Sequence, residues 1–203
     1  MRAAFKRGSS AGLGNLSVGY DPLREARAAG ALHIGQVRQE KWSMRSPQPY
    51  RRSTAYHEAG HAVIAMVEGT SLGDVSIIPD GSDRGRTALP LPDGFDPMLC
   101  DDVERRAVVE PWISGKLAGA VAERAAMGQG YRVRGGRNDR EQAEEGASWV
   151  TLSDREARFY LRWLTARVDE LVAREWPAIE RLAAHLLLSG ASTGSEAREV
   201  AFG

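Results

Sequence analysis

The 203-residue sequence predicts a mainly α fold of the α+β class, a helical body carrying one small β-hairpin. Three observations carry that expectation. Ala55, Ala59, Ala62, Val63 and Met66 recur at the 3.6-residue spacing that puts apolar side chains on one helix face. Ser153-Asp-Arg-Glu156 is a capping box opening a second long periodic stretch. The clearest strand-like run is the short Val75-Ser-Ile-Ile78, followed by turn residues Gly81 to Gly85.

Each element follows from local signals. A helix is expected over Ser53–Glu68, stopped by Gly69. Asp74–Pro79 reads as a strand, and Arg86–Leu89 as its return. Three prolines make Leu89–Pro97 a loop. Pro97–Met127 is helical in pattern, but Pro111 should kink or split it. After a Gly- and Arg-rich loop, Asn138 is the expected N-cap of a helix through Val150. The capping-box helix should break at Pro177, resume to Leu188, and be followed by a short helix over Ser195–Val200.

Composition bounds the function. The chain is 42% hydrophobic and 27% charged, which allows a sizeable core and excludes wholesale disorder. Cys100 stands alone, so neither a disulfide framework nor a Cys-rich metal site is available. The N-terminal stretch lacks the apolar centre of a secretory signal, and no run is long enough to span a membrane, so a cytoplasmic location is expected. No Gly-x-x-x-x-Gly-Lys-Ser/Thr loop occurs, which argues against a nucleotide-driven motor in this sequence. Formal charge is zero but uneven. Residues 1–52 carry ten Lys/Arg against three Asp/Glu, and residues 53–203 carry seventeen against twenty-four. We read residues 1–50 as a basic, flexible or loosely docked arm and 51–203 as the folded domain. Gly and Asp/Glu interrupt the arm, a poor phosphate-tracking stripe, so no nucleic-acid partner is expected.

One motif carries chemistry. His57-Glu-Ala-Gly-His61 places two imidazoles at i and i+4, one above the other on a helix face, where both can hold one metal ion. Glu58 lies about 100° round the helix, outside that ligand pair but within reach of a water beside the metal. Gly60 in mid-helix points to a close backbone approach at the site. A third ligand is required. Candidates are later carboxylates or histidines; His185, on the Leu-rich final helix, reads as a core or surface histidine, and spacing alone does not choose among the many Asp and Glu residues.

The surrounding residues add a resemblance. Thr54-Ala-Tyr-His-Glu-Ala-Gly-His-Ala-Val63 resembles the peptidase domain of the FtsH family, the AAA-linked zinc metalloproteases. Val75-Ser-Ile-Ile-Pro79 with Gly85-Arg-Thr87 is similar to that family's strand pair. Gly119-Ala-Val-Ala-Glu-Arg124, Gly136-Arg-Asn-Asp-Arg-Glu-Gln-Ala143 and the tail from Val168 to Val200 resemble its later segments. The resemblance covers roughly residues 51–200.

It implies a helical zinc-peptidase domain with one zinc ion per chain held by His57, His61 and Asp139. Glu58 would be the catalytic base, and Glu123 would orient a ligand histidine. We expect an endopeptidase acting on peptides or unfolded protein segments without ATP. Val75, Ser76, Ile77 and Ile78 would be a free edge onto which a substrate strand adds. The alternatives are a non-catalytic, zinc-stabilised interaction or regulatory domain and, more remotely, a phage- or stress-type peptidase that cleaves one repressor. A homo-oligomer, or a motor supplied in trans, stays open.

Two departures from the family pattern bear on the site. Arg134-Gly-Gly-Arg137 replaces Thr-Gly-Ala-Ser-like residues, bringing positive charge toward the metal. Pro111 falls inside what is usually an unbroken helix.

Overall fold

The computed structural model describes residues 48–80, 84–128, 130–133 and 136–203. The basic arm expected over residues 1–50 lies almost wholly outside the described residues. Those described form six helices and three two-residue strands, so the mainly α expectation holds. In chain order they are α1 (Gln48–Val67), β1 (Val75–Ser76), β2 (Arg86–Thr87), α2 (Asp102–Met127), α3 (Arg137–Val150), α4 (Asp154–Arg174), α5 (Trp176–Ser189), β3 (Ala191–Ser192) and α6 (Gly194–Phe202).

Helix α1 begins five residues earlier than its pattern suggested. Pro49 falls in the first turn, where its missing N–H would have had no helical partner. The helix stops where expected. Gly69 takes φ +76, and the Thr70 N–H and hydroxyl both donate to the Ala65 carbonyl, at 2.9 and 3.1 Å.

Helix α2 is neither split nor ended by Pro111. It runs 26 residues from the Asp101 cap, whose carboxylate accepts from the N–H groups of Val103 and Glu104. An interior proline costs about 3 kcal/mol. Just past it, however, Trp112 and Ile113 are buried, each contributing roughly 1.5–3 kcal/mol. The carbonyl that Pro111 leaves without a helical donor belongs to exposed Ala107, where water can serve it.

Asn138 is not the cap of α3. Gly136, at φ +78, occupies that place without any side-chain bond, and Asn138 is an exposed residue of the first turn. The Ser153 cap is present, accepting from Glu156 N–H, while the Glu156 carboxylate accepts from Leu152 N–H. Near Pro177, α4 ends at Arg174 and α5 begins at Trp176.

The strands form one antiparallel sheet in the order β2-β1-β3. This corrects the expected free edge at Val75–Ile78. Val75 pairs with Thr87 on one side and Ser192 on the other, and Ser76 with Arg86 and Ala191. Ile77 N–H donates to Gly190 O, and Ile78 N–H to Ser76 Oγ. The segment is central because Ala191–Ser192, too short to carry a strand pattern, returns beside it. Among the described residues β2 has a neighbour on one side only. Ala88 N–H bonds Asp74 O, so by antiparallel alternation the backbone N–H and C=O of Thr87 point to the open edge.

Two apolar clusters share α1 and α2. One joins Val63, Ile64, Ile77, Val168, Ile179, Leu182 and Leu186. The other joins Ala65, Val109, Trp112, Ile113, Ala147 and Leu164. Between α1, α2 and the start of α3 lies a group of buried polar side chains.

Candidate metal centre

The site begins with how closely α1 approaches α2. A Cβ on Gly60 would stand 2.5 Å from Ala122 Cβ and 2.8 Å from the Ala118 carbonyl oxygen. The close approach signalled by this glycine is therefore real, but it is to α2 rather than to anything entering the site. A Cβ on Gly119 would collide with the His61 ring at Nε2, so the imidazole occupies the space that any larger residue would need.

His57 and His61 are both buried, their ring centres 4.7 Å apart and their planes nearly perpendicular. Each ring is fixed through Nδ1. His57 Nδ1 donates to Glu123 Oε2 at 3.0 Å, and His61 Nδ1 donates to the Gly115 carbonyl at 2.7 Å. Those bonds turn the two Nε2 atoms inward. Asp139, in the first turn of α3, brings Oδ2 to 3.3 Å from both. The first turn suits a carboxylate, because the positive end of the helix dipole lies there.

This arrangement fits a metal ion. With Nδ1 donating, each neutral imidazole presents a lone pair at Nε2, and these face a carboxylate oxygen that is also a lone-pair donor. Lone pairs converging in a buried space repel unless a cation lies among them. His61 Nε2 is fully enclosed and has no hydrogen-bond partner. All three candidate ligand atoms lie within 4.8 Å of one another. Two ligands bound about 2.0–2.1 Å from a tetrahedral zinc stand about 3.3 Å apart, as each Nε2 does from Oδ2. A proton can play the cation's part when no metal is bound. Burial opposes charge on His57, but its bonds to Asp139 and Glu123 outweigh that and push its pKa up to about 10. Burial likewise disfavours the Asp139 charge, yet the two histidines hold its pKa well below the usual carboxylate range.

Glu58 lies beside this trio. Its Oε2 accepts from Thr87 Oγ1 at 2.7 Å, and a Cβ on Gly85 would sit 2.6 Å from its Oε1. The loop entering β2 thus needs glycine to pass the carboxylate. Burial pushes the Glu58 pKa up, against the pull of the two histidines and Thr87.

Glu123 is 3% exposed and stands behind His57, and its Oε1 accepts from Tyr131 O–H at 2.8 Å. Thr87, Tyr131, Gly119 and Gly85 were not singled out from the sequence as parts of the site. Only the small residues Gly115 and Gly119, four apart on one helix, offered a signal. His185 is remote from the trio, with its Nε2 3.4 Å from Glu196 Oε1. Arg134 lies outside the described residues. The charge of Arg137 is directed to solvent, its side chain 94% exposed and bonded to Glu141.

Comparison with known proteins agrees with this geometry. The family model of peptidase family M41 matches residues 44–151, just over half of the chain. The chain is 35% identical over 91 residues to the "ATP-dependent zinc metalloprotease FTSH 1, chloroplastic" of Oryza sativa subsp. japonica, covering 44% of this chain and 13% of that protein. It is 34% identical over 109 residues to the "ATP-dependent zinc metalloprotease FtsH" of Photobacterium profundum, covering 52% and 15%. It is 31% identical over 122 residues to the "ATP-dependent zinc metalloprotease YME1 homolog" of Caenorhabditis elegans, covering 59% and 16%. The chain thus spans only a small part of the length of these relatives. The matched residues include all of α1, the sheet's first two strands, α2 and α3, which together build the trio and place Glu58 beside it. The chain therefore belongs to peptidase family M41, as a peptidase domain of the FtsH family.

Proposed function

We propose that the chain is a zinc-dependent endopeptidase that hydrolyses peptide bonds in unfolded or flexible polypeptide segments, and that it does so without ATP. The observation that carries this reading is the buried convergence of His57 Nε2, His61 Nε2 and Asp139 Oδ2, with the Glu58 carboxylate alongside. A site that held metal only for stability would have no need of that carboxylate.

In this reading His57, His61 and Asp139 hold one zinc ion. Bound there, zinc supplies Lewis acidity, polarising a carbonyl and acidifying water toward a pKa of ~7. The protein's own groups do the rest. Glu123 and the Gly115 carbonyl keep each imidazole in the tautomer that offers Nε2. Glu58 accepts the proton of the attacking water and returns it to the departing amine. Thr87 O–H fixes the carboxylate for both transfers.

The substrate strand adds at the open edge of β2 rather than at Val75–Ile78. Thr87 then offers its backbone to the peptide while its hydroxyl holds Glu58, which brings the bound chain to the base. Backbone pairing makes little sequence demand, which suits extended segments. Among the described residues no helix is long and apolar enough to cross a membrane. The relatives' names include ATP dependence, but the shared part covers only 13–16% of those proteins.

Glu58→Gln tests the reading. Gln keeps the size and accepts from Thr87, but cannot take a proton. Zinc content should stay near native while cleavage of unfolded peptides falls on the order of 10²-fold or more. A native protein that binds zinc yet cleaves no member of a broad peptide set would favour a zinc-stabilised interaction domain instead.

A further inference from the structure

The proposed peptidase site has a charged neighbour that its chemistry leaves unassigned. Lys116 is only 8% exposed, although lysine is almost never buried without a partner. It belongs to a stripe of α2 that faces the site: Trp112, Lys116, Gly119 and Glu123, spaced i, i+4, i+7 and i+11. Gly119 lies against the His61 ring and Glu123 holds His57, so Lys116 continues the row on the far side of His61. Its backbone neighbour Gly115 accepts the His61 Nδ1 bond.

The ammonium group rests over the Trp112 ring, 5.4 Å from its centre. No described residue gives it a hydrogen bond or an ion pair. Burial pulls its pKa down, against the charges of Asp139 and Glu58, which act on it from the site side. Its Nζ is not fully enclosed, so the group keeps some access from outside. Three donors with no acceptor, held against an aromatic face, await an oxygen ligand.

Residue choice points the same way. The chain has 27 cationic side chains, and Lys116 is one of only three lysines. Arginine presents a broad planar fork, whereas lysine presents a compact charge on a flexible stem that needs less room beside a bound peptide.

We propose that Lys116 is a specificity-determining residue that receives a substrate carboxylate close to the scissile bond. This rests on the peptidase reading and names its substrate class: peptides carrying a carboxylate there, either an Asp or Glu side chain or the free C-terminus of a short segment.

The test uses the full chain loaded with zinc and a peptide series that places Glu, Gln or Ala at each position flanking the cleaved bond. Each peptide is made with a free and an amidated C-terminus. The native protein should prefer one carboxylate over its amide by about tenfold or more in kcat/KM, as for a charged hydrogen bond. The side-chain and C-terminal arms tell which source is read. In Lys116→Met that ratio should collapse to near unity, while Lys116→Arg should retain part of it. Zinc content and melting temperature show whether each variant is folded. The proposal is overturned if the native ratio is near unity in both arms, if Lys116→Met keeps the ratio, or if it slows all peptides equally. The same ratios are read as binding affinities on Glu58→Gln by calorimetry. A carboxylate preference there that depends on Lys116, without cleavage by the native protein, would uphold the carboxylate site and sink the peptidase reading. Cleavage by the native protein with no such preference would do the reverse.

Discussion

Helix α2 has two seams, and they are built on opposite principles. Toward α1 the helices meet through glycine. Gly60 and Gly119 leave no room for a Cβ, and the polar atoms trapped there are paired or aimed at one point. Beyond it, on the α3–α4 side, Leu117 and the arginines Arg140, Arg158 and Arg162 line an open groove of about 660 Å³. Its charged partners are exposed pairs such as Arg140–Glu144, which water can replace at little cost. The first seam must exclude water and fix orientation. The second packs apolar side chains such as Ile113, Ala147 and Leu164 beneath that groove and holds no buried ligand in a fixed orientation. Sensitivity to substitution should therefore concentrate on the α1 side.

Substitutions that add a single methyl group sharpen this contrast. Gly119→Ala should have the largest effect, because its Cβ would strike the His61 imidazole. We expect zinc content to fall close to zero, measured by elemental analysis of purified protein. Gly60→Ala meets a backbone oxygen, which cannot swing aside. Overpacking costs typically 1–3 kcal/mol, and the gain in helix propensity returns only roughly 0.5–1 of that. A net loss of stability in thermal melts is the expected outcome. Native-like melting and metal uptake in both variants would break the comparison.

A smaller effect is expected one bond further from the metal. Tyr131→Phe removes the O–H that holds Glu123, which in turn orients His57. Partners of this kind tune metal affinity by 10–100-fold when they touch the ligand, so a residue one step removed should cost up to about tenfold. Chelator competition measures this, with melting temperature nearly unchanged. An unchanged affinity would show that Glu123 needs no support from Tyr131.

The smallest effect belongs to the seam with α3. A Cβ on Gly146 would stand 3.0 Å from Ile113 Cγ1 and from a Trp112 ring carbon. These are side-chain atoms that can yield by a few tenths of an ångström, and alanine recovers helix propensity. Gly146→Ala should shift the melting temperature by no more than about 2 °C and leave zinc content alone. A loss as large as that of Gly60→Ala would mean that this seam is as rigid as the other.

The sequence alone determined what depends on short range. Helical periodicity, the Gly69 stop and the Ser153 cap are properties of a few successive residues, so they were readable. The pairing of His57 with His61, and the offset of Glu58, follow from 3.6 residues per turn. Asp139 was readable only through resemblance. It meets His57 across 82 positions, and no local rule selects it from the other carboxylates.

Tertiary structure decided the remainder. Whether Pro111 breaks its helix depends on the burial of Trp112 and Ile113. Whether Val75–Ile78 is an edge depends on Ala191–Ser192, more than a hundred residues away, closing its second side. Thr87, Tyr131 and Lys116 carry no signature, because a hydroxyl or an ammonium gains meaning only from what is packed against it. The physical reason is one of range. Backbone propensity and helix phase act over a few residues, whereas burial, lone-pair direction and charge act through space between segments that only the fold brings together.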